Sequence, residues 1–137
     1  TRRSSDLRSK ADVLENLTEQ AELVVDARGA GRFTGDVPEV KPGLASSHIP
    51  GARNLPYTSL FQPNGTWKKP DTIRAVFEAA GVDLARPLIS SCGSGMTANV
   101  LIFAAHLIGK HDVALYDGSW SEWGADEALP KELGPAK

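Results

Sequence analysis

Residues 87–109 read PLISSCGSGMTANVLIFAAHLIG. A short apolar run behind Pro87 predicts a buried strand, a cluster of small and glycine residues predicts a tight loop, and an unbroken series of good helix formers predicts a helix. Working outward, DVALYDG at 112–118 supplies the next strand, and ELVVDAR at 22–28 supplies an earlier one whose apolar run is continuous, as in strands covered on both faces. IPGARNLP at 49–56 is a short extended segment between prolines, and PDTIRAVFEAAG at 70–81 is a helix opened by Pro70 and closed by Gly81. At the front of the chain, Ser4 or Ser5 can cap a helix running to about Leu17, with Leu7, Ala11, Val13, Leu14 and Leu17 on one side. Strands alternating with helices predict parallel βαβ units and a three-layer α/β domain. Ligands in such sheets collect beyond the carboxyl ends of the strands. The long polar stretch Arg28–Ser47 is expected to bind something, because structureless loops of that length are rare in compact domains.

A chain of 137 residues fits one domain, read here as spanning 1–137. Hydrophobic residues at 41%, charged residues at 23% and a net charge of −2 give no reason to expect a nucleic-acid or membrane surface. A lone cysteine cannot form an internal disulfide, so a reducing, cytoplasmic setting is expected. No residue spacing implies a metal or organic cofactor. The basic start TRRSSDLRSK has no apolar run behind it and does not read as a secretory signal. The acidic stretch after Gly124, with Pro130, Gly134 and Pro135, is expected to be poorly ordered.

That single cysteine, Cys92, is the chemically loaded residue of the loop. It follows the strand and precedes a helix N-terminus, where unpaired backbone N–H groups and the helix dipole favour negative charge. Gly93 and Gly95 let the backbone curl into an anion nest, and Ser94 and Thr97 add hydroxyl donors. A reactive thiol there should be partly exposed and electrostatically favoured as the thiolate. A cysteine phosphatase would need Arg six residues after the nucleophile, and position 98 is Ala. A papain-type protease is not supported, since His48, His106 and His111 lie outside its local signature. His106, within the apolar helix, reads as a packed side chain and His111 as a turn residue.

With these residues in view, the chain resembles the catalytic, C-terminal rhodanese domain of the 3-mercaptopyruvate sulfurtransferases, from about Leu7 to Gly124. The loop Cys92-Gly93-Ser94-Gly95-Met96-Thr97-Ala98 is similar to the family's active loop, with Met96 in place of the usual Val. His48-Ile49-Pro50-Gly51-Ala52-Arg53-Asn54-Leu55 is similar to the first rhodanese signature, although Leu44 stands where an aromatic is common. Tyr116-Asp117-Gly118-Ser119-Trp120-Ser121-Glu122-Trp123 matches the C-terminal signature. Asp26-Ala27-Arg28, followed by Gly31-Arg32-Phe33, is similar to the strand and loop preceding the substrate site.

The resemblance implies a rhodanese-like fold, a central parallel sheet of about five strands flanked by helices. It implies that Cys92 takes a sulfane sulfur from a small-molecule donor, holds it as a persulfide against the N–H groups of Gly93, Gly95, Met96 and Thr97, and passes it to cyanide or a thiol acceptor such as thioredoxin or a low-molecular-weight thiol. Arg32 matches the arginine that binds the donor carboxylate; Lys41 falls where the family has a second arginine and lacks its bidentate fork. Thiosulfate-preferring relatives carry basic side chains where this chain has Gly93 and Ser94, so 3-mercaptopyruvate is the expected donor and thiosulfate the alternative. A non-enzymatic binding or regulatory module, a further alternative, would be marked by loss of the cysteine. Ser94 matches a serine that works with His and Asp from an N-terminal rhodanese domain, so the chain is expected to be the C-terminal half of a tandem protein, weakly active alone. Asp26 and Arg28 are expected to form an ion pair that fixes the loop, and His48 and Asn54 to anchor backbone. Trp120, Glu122 and Trp123 either wall the cleft or pack the C-terminal segment.

Overall fold

A computed structural model of the protein describes residues 6–137. Five strands, β1 (Leu7–Arg8), β2 (Leu23–Asp26), β3 (Arg53–Asn54), β4 (Leu88–Ser91) and β5 (Val113–Tyr116), form one sheet in the order β1-β5-β4-β2-β3. Every pairing is parallel. The central strands β2 and β4 are buried along their whole length, which is why both read as short uninterrupted runs without a polar face.

Alternation along these strands divides the core. Leu23, Val25 and Leu88 face one side, against helices α3 (Pro70–Ala79) and α4 (Ala98–Leu107), represented there by Ile73, Phe77 and Leu101. Val24 and Ile89 face the other, against Val13 of α1 (Lys10–Glu19), Phe33 of α2 (Ala30–Thr34) and Trp120 and Trp123 of α5 (Ser119–Trp123). Three layers result, as expected. From β2 the chain continues outward to β3, and from β4 it continues outward in the opposite direction to β5. The switch point therefore lies between β2 and β4, whose carboxyl ends are level: Asp26 pairs with Ser91, and the Ala27 N–H donates to the Ser91 carbonyl at 2.8 Å. Arg28 and Cys92 are thus brought to one crevice.

Several expectations are corrected. The Ser4 or Ser5 cap lies outside the described residues, and Leu7–Arg8 pairs with β5 as an edge strand rather than opening the helix. The α1 cap is Ser9, whose hydroxyl accepts the Asp12 N–H while the Asp12 carboxylate accepts the Ser9 N–H. This reciprocal box satisfies two donors that a lone serine upstream would leave open. The buried face of α1 carries Val13 and Asn16, whereas Leu7 and Leu14 are exposed. Arg28–Ser47 is not structureless, because it contains α2. The segment after Gly124 packs on the domain: Glu132 and His48 exchange backbone hydrogen bonds at 2.9 Å each way, Pro130 accepts from the Trp123 indole at 2.9 Å, and Leu129 is buried. His106 is exposed on the outer face of α4, its Nδ1 2.9 Å from Nδ1 of His111.

Candidate active site

Cys92 follows β4 directly, and its thiol is fully buried rather than partly exposed. The loop folds across it, so that Sγ accepts the Gly95 N–H at 3.0 Å. An N–H aimed at sulfur is well placed to stabilise negative charge there. Gly95 is required for two reasons: its φ is +94°, and a Cβ at this position would stand 2.5 Å from the Asp117 carbonyl oxygen. Ser94 and Met96 form the exposed tip, Met96 being 77% exposed. Thr97 is the N-cap of α4 and makes no side-chain capping bond. Among the described residues, no acceptor engages the N–H groups of Gly93, Ser94, Met96 and Thr97. Below the loop, the Ser90 hydroxyl donates to the Ala98 carbonyl at 2.8 Å and holds the first turn of α4 to β4.

The β5–α5 connection clamps the start of the loop from behind. Ser119 is fully buried at a φ of +51°, an uncommon conformation for a residue with a side chain. Its hydroxyl donates to the Tyr116 carbonyl at 2.8 Å and accepts the Cys92 N–H at 3.0 Å. The next two residues continue the clamp. The Trp120 N–H donates to the Cys92 carbonyl at 2.9 Å, and the Ser121 N–H and hydroxyl both reach the Gly93 carbonyl at 2.8 Å. Trp120 and Trp123 are buried and pack the C-terminal segment instead of lining an open cleft, their indole N–H groups satisfied by the Ala45 and Pro130 carbonyls. Burial pushes the Tyr116 phenol well above its ordinary range, reinforced by its hydrogen bond to Glu122 at 2.7 Å. It remains a donor at neutral pH.

Ser119→Ala leaves the buried Cys92 N–H without an acceptor. The expected result is a loss of about 1–3 kcal/mol in urea-unfolding stability. Unchanged stability would show that the clamp does not hold the loop.

On the β2 side, a chain of four charged side chains runs from the sheet to the loop. Asp26 and Arg28 form the expected pair, both buried, with Arg28 Nη2 2.8 Å from Asp26 Oδ2. Arg28 Nη1 reaches Glu39 Oε2 at 3.3 Å, and Glu39 in turn takes Arg32 Nε at 3.1 Å and Nη2 at 2.7 Å. The hydrogen-bonded Glu39 carboxylate raises the Arg32 pKa above the ordinary arginine value, against the opposing effect of partial burial. The Arg32 guanidinium lies beside the loop, Nη2 2.9 Å from where a Gly93 Cβ would be, so a side chain at 93 would displace it. His48 and Asn54 anchor backbone as expected: His48 Nδ1 lies 2.8 Å from the Phe33 carbonyl, and the Asn54 amide donates to the carbonyls of Asp26 and Arg28. Lys41 is exposed and, among the described residues, makes no hydrogen bond.

A family model described as the rhodanese-like domain matches residues 9–126, nearly the whole of this architecture with its cysteine loop. The chain belongs to the rhodanese-like domain family. Among its relatives, the 3-mercaptopyruvate sulfurtransferase of Rattus norvegicus is 46% identical over 85% of this chain and 39% of the relative. The thiosulfate sulfurtransferase of Bos taurus is 47% identical over 85% of this chain and 40% of the relative. The crystal structure of the Tum1 protein from Saccharomyces cerevisiae superposes with a TM-score of 0.84 at 31% identity, covering 96% of this chain and 47% of that one. The chain thus spans less than half the length of these relatives.

Within this rhodanese-like domain the crevice assembles Cys92, Gly93, Gly95 and Arg32, with the loop tip Ser94–Met96 and the helix start at Thr97 around them. Lys41 stays outside that set. Two residues of the site escape a reading of the sequence. Ser119 gave no hint of its left-handed backbone, and Glu39, in a polar loop, reads as solvated although its side chain is only 2% exposed. The one available hint was the spacing of Glu39 from two arginines, seven and eleven residues upstream.

Proposed function

We propose that this rhodanese-like domain is a sulfurtransferase of the 3-mercaptopyruvate type, with Cys92 as the sulfur carrier. The observation that carries the reading is the placement of the only thiol at the sheet's switch point, its sulfur already receiving the Gly95 N–H in a loop whose other N–H groups, among the described residues, engage no acceptor. In the loading step the Cys92 thiolate attacks the donor sulfur. The new S–S bond forms as the donor's C–S bond breaks, and the electron pair departs with the pyruvate enolate, which then takes up a proton. With thiosulfate the S–S bond of the donor breaks and the pair leaves on sulfite. The terminal persulfide sulfur, anionic, is held by the N–H groups of residues 93–97. In the second half-reaction an acceptor thiolate attacks that sulfur and Cys92 leaves as thiolate, so the enzyme is restored without an external oxidant or reductant.

Arg32 is assigned to the donor carboxylate, which a planar guanidinium binds in a fork, and Ser94 to proton handling at the loop tip. Lys41 is assigned to long-range attraction of the donor. A thiol such as thioredoxin or a low-molecular-weight thiol is the proposed acceptor, an N-terminal rhodanese domain the proposed partner in a longer protein, and the reducing cytoplasm the proposed setting. No helix among the described residues is long and apolar enough to cross a membrane. Identity to the Bos taurus thiosulfate sulfurtransferase keeps thiosulfate as the second candidate donor.

The deciding experiment is intact mass after incubating the reduced protein with 3-mercaptopyruvate or with thiosulfate. Uptake of one sulfur atom, removed by a thiol reductant and faster from 3-mercaptopyruvate, is expected; with a single cysteine in the chain, the adduct has one possible thiol. No uptake from either donor overturns the proposal in favour of a binding module.

A further inference from the structure

We infer that Glu39 sets the charge of the sulfur donor, making the site selective for a monoanion over a dianion; the inference rests on the sulfur-transfer reading and on Arg32 as its anion contact. Arg32 is the cation beside the Cys92 loop, and it does not face the loop unpaired. Glu39 takes its Nε–H and one Nη2–H, at 3.1 Å and 2.7 Å, while Arg28 closes on the same carboxylate from the other side at 3.3 Å. Arg28 is itself committed to Asp26. Two guanidinium groups and two carboxylates sum to zero, so the crevice offers donor geometry with no surplus charge.

The geometry that remains is specific. Of the five N–H groups of a guanidinium, Glu39 uses two, leaving the end-on edge formed by Nη1 and the second Nη2 proton. That edge can fork one carboxylate. The loop adds no cation, because residues 93–97 are Gly, Ser, Gly, Met and Thr. Lys41 is exposed and outside the set. A mercapto-α-keto acid, with its thiol protonated at pH 7, brings a single negative charge to that fork, whereas thiosulfate brings two. The buried Glu39 carboxylate repels the second charge as well as the first, and the exposed, solvent-screened Lys41 offsets it only weakly.

Removing the Glu39 charge should favour a dianion twice as much as a monoanion. Any loss of Arg32 positioning is common to both donors and cancels in their ratio. The measurement is therefore the ratio of second-order rate constants for loading Cys92, thiosulfate over 3-mercaptopyruvate, followed by intact mass at pH 7. Glu39→Gln is expected to raise this ratio about tenfold at low ionic strength, with the increase shrinking as salt screens charges roughly 10 Å apart. Glu39→Asp, which keeps the charge, should stay within about twofold of the wild type. Val40→Lys adds a cation next door at a position 92% exposed, where folding is not at risk, and should raise the ratio about threefold with the same salt dependence. A ratio unmoved by Glu39→Gln, or moved equally by Glu39→Asp, overturns the role of Glu39. If Glu39→Gln fails to fold, an unmoved ratio in Val40→Lys overturns it instead. Failure of the wild-type protein to load from either donor overturns the sulfur-transfer reading itself, and this inference with it.

Discussion

Cys92→Ser is expected to take up no sulfur from 3-mercaptopyruvate or thiosulfate and to lose cyanide-dependent thiocyanate formation by about a thousandfold or more, down to background. The hydroxyl is almost wholly protonated at neutral pH and is a poor nucleophile without an adjacent base. No histidine supplies one, because His48 is committed to the Phe33 carbonyl and to Glu132, and His106 and His111 lie together away from the loop. The fold should survive the change. Oγ can accept the Gly95 N–H that Sγ accepts now, and the volume change in the buried site is small. A stability change within about 2 kcal/mol is expected, the residual cost being a hydroxyl enclosed with one partner. Sulfur uptake by the serine variant would place the carrier somewhere other than Cys92.

How much of this was legible in the sequence follows from the range of the interactions involved. The strand, loop and helix around Cys92 depend on neighbours in the chain, and β4, the loop and α4 fall where the apolar runs and glycines place them. The α1 start is ambiguous in the sequence because the serine–aspartate box at Ser9 and Asp12 competes locally with two earlier serines. The apolar composition of α4 predicts a packed His106, yet that helix also carries Phe103 and Leu107 on its exposed side, Phe103 lying 5.2 Å from the Trp67 ring. Composition alone could not assign the face.

The remaining misses are non-local. Order in the C-terminal segment comes from Glu132 pairing with His48, 84 residues away, and from Pro130 under Trp123. No local pattern announces either. Burial of the Cys92 thiol comes from its place in the core cluster that also holds Val25, Leu55 and Leu101. The left-handed Ser119 is held by partners on two other segments, the Tyr116 carbonyl and the Cys92 N–H. Strain of this kind persists where the surroundings over-determine it, here directly behind Cys92.

The network behind Arg32 should be the most stability-sensitive polar feature of the domain, and Arg28→Met is its sharpest probe. Arg28 Nε contacts both Asp26 oxygens at 3.1 Å and 3.0 Å, Nη2 reaches Asp26 and the Ser47 carbonyl at 2.8 Å each, and Nη1 reaches Glu39. Its guanidinium carbon also lies 4.5 Å from the centre of the Trp120 ring, whose backbone N–H holds the Cys92 carbonyl. Methionine retains most of the apolar stem and removes the charge, leaving the buried Asp26 carboxylate without its cation. Breaking a buried pair from one side costs about 3–5 kcal/mol, far more than the pair contributes net. Arg28→Lys should cost less but still substantially, because an ammonium cannot serve in-plane acceptors on Asp26, Ser47 and Glu39 together. The decisive comparison is Asp26→Leu/Arg28→Met, expected to be less destabilised than the sum of its single variants, as removal of both charges abolishes the unpaired-carboxylate cost. Urea midpoints at constant m would measure the wild type and each of these variants. Arg28→Met within about 1 kcal/mol of the wild type would mean that water reaches Asp26, and that the ion pair neither anchors the β2 end of the crevice nor steadies Trp120 behind Cys92.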